Sequence, residues 1–572
     1  METNLQNLSE QETAFPASPS SRNREAVYSF LIILAAIAGI AVRWWGLGKT
    51  SLWRDEGYSV WLSQFSLREI WRGVASDTSP PLYYFLLHGW TRLFGISEVS
   101  LRSMSAFFET LSIPLFYLIA RRILQDKLAI AIAMWLYALC MFQAQYARDA
   151  RFYGVLVCFS LASVYSLIEF LENRSFVHFA NLVLSLAVGL YTHNMMFFYL
   201  PGVALLWLVY PVGPRLIRRA TDGLLCGIAV FLLFLPWLPN LVRQAKLVAK
   251  AFWPARPTFH DLAQTINTLS GLDSDYLVQF SNHLTRLNLY PYQRPFVLGC
   301  LCLLLFCAVA ALAHGIRADR RKALAIFGFA ALPVLLVFFY SRSRPPIFLN
   351  RAFIPTSAVI PLVLAASMAH LSGRRKTLFA ALGVVLLAAS TISLFGFLMH
   401  YQNEDWRGAT VDLLSIPPEK RIIVFVTNTG EVLFDYYASR SPNPAMRLPE
   451  TTGLPEPISL TDEPAHRALS PFKKDEELRA LRQVVESRNY NEIDVVISNT
   501  PIERNELVRN SLSQNCEVLS EQDFHQIKIV RWRLKDHHEN FELNSSEFKD
   551  LQARSIPQQF HSKSLTHPKS SR

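Results

Sequence analysis

Residues 27–56 read VYSFLIILAAIAGIAVRWWGLGKTSLWRDE. The first part, 27–44, is an apolar run with no charge before Arg43. A hydrocarbon core of about 30 Å needs roughly 20 such residues in a helix. About 25 polar residues precede the run and no small-residue cleavage site ends it, so it reads as a membrane span and not as a cleaved leader. Arg43-Trp44-Trp45 has the composition of an interface anchor. Directly after it come two adjacent carboxylates, Asp55 and Glu56. Beside a membrane surface such a pair is costly unless it is exposed or used.

Working outward, runs of the same kind recur and predict eleven spans: 27–44, 101–120, 128–146, 152–171, 176–192, 195–210, 221–240, 296–314, 322–340, 352–370 and 377–398. Charged residues make up 18 % of the chain, against about 25 % in soluble domains, and the shortfall is concentrated in these runs. A soluble enzyme, a coiled coil and a disordered chain are excluded for most of the length. The net charge is +11, but the basic residues sit in short clusters between apolar runs. That is the pattern of membrane topology, and nucleic acid is not expected as a partner. Six of the seven cysteines lie in apolar runs and no C-x-x-C pair occurs, which reads as buried apolar thiols.

Arg121-Arg122 with Lys127, Arg174, Arg215 with Arg218 and Arg219, Arg317 to Lys322, and Arg374-Arg375-Lys376 all fall in alternate short loops. The excess of Lys and Arg puts those loops and the N-terminus in the cytoplasm. The opposite face then receives residues 45–100, 241–295 and everything after 400. The expected organisation is a polar cytoplasmic segment (1–26), a membrane domain (27–398) with a first external loop (45–100), an extracytoplasmic α/β domain (399–540) and a disordered tail (541–572). The α/β reading rests on short strand-like runs at 422–426, 493–497 and 527–532 with a helix-like stretch at 474–486. The fold class is therefore a polytopic α-helical membrane protein with a small α/β domain outside the membrane. Neither internal repeats nor the inverted broken helices of many secondary transporters are visible.

In the first external loop, 63–75 and 80–94 are too short to span and predict interfacial helices. A carboxylate of Asp55 or Glu56 is suited to deprotonate a hydroxyl nucleophile, and the plain alternative is a solvated loop acid. Asp77, before Pro80-Pro81, reads equally as a helix N-cap and as a functional acid. Arg102 at the mouth of the second span is an interface anchor or a partner for an anionic headgroup. Arg148 and Arg151 run against the charge rule and hint at an anionic ligand. His193 sits in a tight turn, where a structural hydrogen bond is the ordinary role. Arg342, Arg344 and Arg351 add cations to the same face, together with Asp149. Arginine forks, a basic carboxylate and an apolar bundle are what a phosphate-bearing lipid substrate requires.

These residues resemble bacterial GT-C glycosyltransferases of the family 39 type, the membrane sugar transferases related to protein O-mannosyltransferases and the lipid A aminoarabinose transferase. Trp53-Arg54-Asp55-Glu56 is similar to the family's first-loop motif, and 77–84 (DTSPPLYY) to its D-x-x-P-P-L-Y-Y segment, with His88, Trp90 and Gly95 continuing it. Leu101-Arg102, Ala150-Arg151-Phe152-Tyr153, Tyr191-Thr192-His193, 350–355 and Glu404-Asp405-Trp406-Arg407 follow in the family's order. The likeness covers about residues 45–440.

The resemblance implies a GT-C catalytic domain at 27–398 in the bacterial plasma membrane, moving a sugar with inversion from a polyprenyl-phosphate donor to an acceptor hydroxyl on the extracytoplasmic side. The acceptor is a lipid, a polysaccharide or a protein. Asp55 is then the base, and Glu56 orients the acceptor or Arg54. Arg151 and Arg351 face the leaving phosphate, with Arg102 behind them and Arg148 and Tyr153 completing the donor site. No cofactor is strictly required, and a divalent metal on Asp77 and His193 is the one candidate. The rival reading is a transporter or flippase of a lipid-linked sugar.

Overall fold

The computed structural model describes residues 19–535 apart from 125, 252–253, 287, 290, 292, 370–372, 418, 441–447, 455–473, 487–488, 499 and 501. The expected tail and most of the expected N-terminal segment lie outside the described residues. In chain order the membrane part runs α1 (Pro19–Trp44), α2 (Arg54–Ser63), α3 (Leu67–Ala75), α4 (Leu82–Phe94), α5 (Glu98–Leu124), α6 (Lys127–Ala138), α7 (Met141–Ala147), α8 (Tyr153–Asn173), α9 (Phe176–Thr192) and α10 (Met196–Val209). It continues with α11 (Leu216–Phe234), α12 (Leu238–Ala251), α13 (Phe259–Leu269), α14 (Ser274–Thr285), α15 (Gln293–Ser343), α16 (Ile354–Ala369) and α17 (Gly373–His400).

Among the described residues six helices are long and apolar enough to cross a membrane, and α6 with α7, bent by 48°, makes a seventh span. Shorter apolar helices cover 176–192, 196–209 and 350–366. Two expectations need correction. The predicted spans 296–314 and 322–340 are parts of one helix, α15, and residues 317–322 continue it where a turn was expected. Ala, Arg and Lys are good helix formers, so a basic cluster by itself does not break a helix. Likewise α1 starts at Pro19, within the segment expected to precede it.

Arg43 is also not an interface anchor, because it is fully buried. Its Nε donates to Glu109 Oε2 of α5 at 3.1 Å, and Nη1 donates to Gly39 O and Ala138 O. Ser112 and Tyr137 share a 2.6 Å hydrogen bond beside this pair. An ion pair in such a place is expensive to desolvate, and removing one partner costs more. Its effect is to fasten α1, α5 and α6 together just below the first loop. Trp44 and Trp45, which are exposed, carry the anchor role alone.

The helices α5 and α8 approach closely at Gly154, where a Cβ would stand 2.5 Å from Ser105 O. Ser105 Oγ donates to Arg151 O at 2.9 Å, which sets the start of α8 against α5. Gln143 of α7 donates to Ile354 O (3.1 Å) and Ser357 Oγ (2.6 Å) of α16. These ties bring the 148–152 loop and the start of α16 to the same end of the bundle as the first loop.

After α17 come α18 (Trp406–Leu414), β1 (Arg421–Phe425), α19 (Thr429–Ala438), β2 (Glu450–Gly453), α20 (Lys474–Glu486), β3 (Glu492–Ser498), α21 (Ile502–Ser513), β4 (Cys516–Phe524) and β5 (Ile527–Leu534). The sheet order is β2-β1-β3-β5-β4, with β1 parallel to β2 and β3 and the β4–β5 hairpin antiparallel. Ile422, Val424, Ile493 and Val495 are fully or nearly fully buried in it. This small domain is fixed to the first loop. Leu433 of α19 fills the space a Cβ on Gly57 would need, at 2.7 Å. Tyr437 Oη accepts from Leu52 N at 2.7 Å and donates to the Glu98 carboxylate, while Arg407 Nη2 donates to Glu98 at 2.5 Å.

Candidate active site

Asp55 and Glu56 occupy the first turn of α2, a helix not foreseen from the sequence, and consecutive positions on it point in different directions. Glu56 is fully buried and faces inward. Arg102 grips it with both edges of its fork: Nε to Oε1 at 2.7 Å and Nη2 to Oε2 at 2.6 Å. The other donors of Arg102 go to Leu47 O, Thr50 O and Ser51 O at 2.7–2.9 Å. All five guanidinium N–H groups are thus used within the protein. Ala150 N also donates to Glu56 Oε1 at 2.8 Å. The expectation that Arg102 holds a donor phosphate is corrected here, since it has no donor left to give. Glu56 and Arg102 knit the first loop to α5 and the 148–152 loop.

Asp55 faces the other way and is half-buried. Its Oδ2 lies 3.5 Å from Arg351 Nη1. Arg151 is buried and sends Nη1 to Asp55 O (3.2 Å), Ser59 Oγ (3.3 Å) and Tyr84 Oη (3.2 Å). Its Nε is buried without a partner among the described residues. The Arg351 guanidinium stands 5.8 Å from the Trp53 ring, within cation–π range. Trp53 is itself held by Asp149 Oδ1, which accepts from its Nε1 at 3.2 Å. Burial, and next the charge of Glu56, push the Asp149 carboxyl up to about 7. Tyr153 is buried beside the same two arginines. The result is one accessible carboxylate flanked by two cations.

Asp77 belongs to this group. No side chain caps α4, whose N-cap is Pro81, so the capping role is not what fixes Asp77. Its carboxylate lies beside the Tyr58 hydroxyl and feels Arg151 and Asp55, and burial pushes its pKa up. His193 packs on Phe152 with ring centroids 4.4 Å apart, and its Nδ1 accepts from Met195 N at 3.0 Å. The proton of the neutral ring is therefore on Nε2. Burial, then Arg151 and Arg351, lower its pKa to about 3. These residues do not fit a divalent metal. Two arginines bias the site against a cation, and no cluster of three or more metal-ligating side chains occurs among the described residues. Asp77 and His193 therefore do not make the metal site expected of them.

The sequence did not reveal what holds the Asp77 loop. Gln244, buried on α12, donates from Nε2 to Val74 O (2.8 Å) and Ser79 O (3.1 Å). Asn194 Nδ2 joins Thr78 O (2.9 Å) to Gln244 Oε1 (3.1 Å). Gln244→Leu removes two hydrogen bonds to the 74–79 segment and a third to Asn194, and leaves buried carbonyls unpaired. We expect an about tenfold fall in turnover with donor KM little changed, read by steady-state kinetics, because small displacements at a reacting centre are costly.

Residues 78–239 match the sequence model of the family described as dolichyl-phosphate-mannose-protein mannosyltransferase. The structure superposes on ArnT from Cupriavidus metallidurans in the apo state with a TM-score of 0.51 and 13% identity, covering 88% of this chain and 98% of ArnT. The chain has the GT-C glycosyltransferase fold. ArnT bound to undecaprenyl phosphate superposes with a TM-score of 0.47 and 15% identity, over 87% of this chain and 97% of that one. The arabinofuranosyltransferase AftD from mycobacteria gives 0.43 and 14%, over 88% of this chain and 41% of AftD. A comparison with curated protein sequences found no match. The family-matched segment of this GT-C chain holds Tyr84, Arg102, Arg148, Arg151, Tyr153 and His193. Asp55 and Arg351 lie outside it and join the site through the fold.

Arg148, like Arg102, is drawn elsewhere. Its Nη1 donates to Trp45 O at 2.7 Å and its guanidinium lies 4.6 Å from the Phe397 ring, so it pins the end of α1 to the end of α17. The segment 404–407 also acts structurally. Asp405 caps α18 through Gly408 N at 2.9 Å, and Glu404 accepts from Trp406 Nε1 at 2.7 Å beside Arg54.

Proposed function

We propose that this GT-C membrane glycosyltransferase moves a sugar from a polyprenyl-phosphate donor to an acceptor hydroxyl, with Asp55 as general base. The observation that carries the reading is the half-buried Asp55 carboxylate between Arg351 and Arg151 at the end of an apolar bundle. The acceptor oxygen loses its proton to Asp55 and attacks the anomeric carbon. The bond from that carbon to the phosphate oxygen breaks, and the lipid phosphate leaves with the electron pair. Attack opposite the leaving group inverts the centre. Negative charge grows on the phosphate in the transition state, and fixed cations stabilise it there. Arg351 and the unpaired Nε edge of Arg151 supply them, and Tyr153 lines the same wall. A lipid-linked donor suits an apolar bundle, and it is the donor class named in the matched family's description. The charge rule supports an N-terminus in the cytoplasm and a site on the outer face of the bacterial plasma membrane.

Arg351→Ala should lower kcat about a hundredfold, the scale of losing one transition-state donor, while Arg351→Lys retains part of the rate. Transfer kinetics with a labelled donor measure it. The proposed stereochemistry is tested by NMR of the glycosidic product made from a donor of known anomeric configuration. Inversion is expected, and net retention would overturn the direct-attack mechanism.

A further inference from the structure

A groove of about 640 Å³ runs between α1 and α5, floored by α6. Its α1 wall extends from Ser29 to Ile40 and its α5 wall from Thr110 to Arg121. Each wall is roughly 17 Å long, about one leaflet of the hydrocarbon core. Ala36, Ile113 and Met134 make it apolar along its length, and Arg121 and Lys127 stand together at one end. That end is the opposite end of α5 from Arg102, roughly 28 Å along the helix axis, so the groove is separate from the proposed donor site.

The cations around the mouth differ in how they are engaged. Arg122 is paired with Glu169 (2.6 Å) and Glu172 (2.9 Å), and Lys376 with Asp126 (2.9 Å). Among the described residues Lys127 pairs only with the exposed Glu25, at 3.1 Å. Arg121 is exposed, lies 5.5 Å from the Tyr117 ring, and has no ion pair or hydrogen bond among the described residues. An apolar slot of leaflet length that ends on an unpaired arginine and a weakly held lysine matches one ligand chemistry. We propose that the groove binds an anionic glycerophospholipid, one acyl chain lying between α1 and α5 and the phosphate resting on Arg121 and Lys127. A zwitterionic lipid fills the slot but gains less at the mouth, because each basic residue there adds to the attraction of a net negative headgroup. Such a lipid would brace α1 against α5 alongside the Arg43–Glu109 pair.

Native mass spectrometry of the full-length protein tests this with added phosphatidylglycerol or phosphatidylcholine of the same acyl chains. Wild type should retain phosphatidylglycerol preferentially. The pair Arg121→Gln with Lys127→Gln should lower its occupancy about tenfold, and Arg121→Lys should keep most of it. Ala36→Phe, which fills the slot and leaves both cations in place, should also lower it. Equal retention of the two lipids, or undiminished phosphatidylglycerol on the double glutamine variant, would overturn the proposal. If that variant fails to fold, Ala36→Phe decides, since unchanged binding there would mean the groove is not the seat.

Discussion

Asp55→Asn should lose about a thousandfold in kcat while binding the lipid donor as wild type does. General base catalysis by a placed side chain contributes on the order of 10²–10⁴-fold, and asparagine keeps the shape while removing the basicity. The surroundings make the result readable. Asp55 touches Arg351 at 3.5 Å and, among the described residues, ties down no other element through its side chain, and its backbone carbonyl, which Arg151 and Ser59 use, survives the substitution. Asp55→Glu moves the carboxylate by one methylene and should recover little, since position matters as much as basicity. A variant that retained a tenth of the wild-type rate would remove Asp55 from the base role and leave it a partner of Arg351.

Arg102→Met should destabilise the protein by about 3–5 kcal/mol, the usual cost of stranding one charge of a buried pair. Glu56 would be left without its fork in a fully buried site, and Leu47, Thr50 and Ser51 would lose the donors to their carbonyls. The expected observation is a lower unfolding temperature of the detergent-purified protein and poor recovery from membranes. Replacing both partners, Glu56→Leu with Arg102→Leu, should cost less than the sum of the single replacements, because no uncompensated charge remains. Wild-type stability of Arg102→Met would show that the pair does not hold the loop, and would return Arg102 to the list of substrate ligands.

Much of the architecture was legible because the bilayer imposes a simple length rule. The apolar runs became helices, and 474–486 and the runs at 422–426, 493–497 and 527–532 became the helix and strands they suggested. The charge rule was less informative about α15, since basic residues that favour helix continue one as readily as they end one. Asp55, Arg151, Arg351, Asp77 and His193 meet as one group, even though some 300 residues separate the first from Arg351. Arg102 and Glu56 were identified as important for the wrong reason. A buried, saturated ion pair and a ligand-binding arginine look the same in a string of letters, and only the count of donors already used separates them. Gln244 carried no signal, because a single neutral amide in LVRQAKLVAK does not announce that it will reach two carbonyls of another loop. The anchoring of α19 on α2 was equally hidden, as it depends on Leu433 meeting Gly57 from across the chain.

The most direct measurement is sugar transfer by the purified full-length protein in detergent, where no second compartment exists and transport cannot register. A panel of radiolabelled polyprenyl-phosphate sugars would be offered with a host membrane extract as acceptor, to wild type and to Asp55→Asn. The prediction is covalent transfer by wild type from one member of the panel, and its loss in a variant that still folds and still binds that donor. Binding of the donor without transfer by either protein would contradict the account and favour a flippase, and equal transfer by both would remove Asp55 from the chemistry.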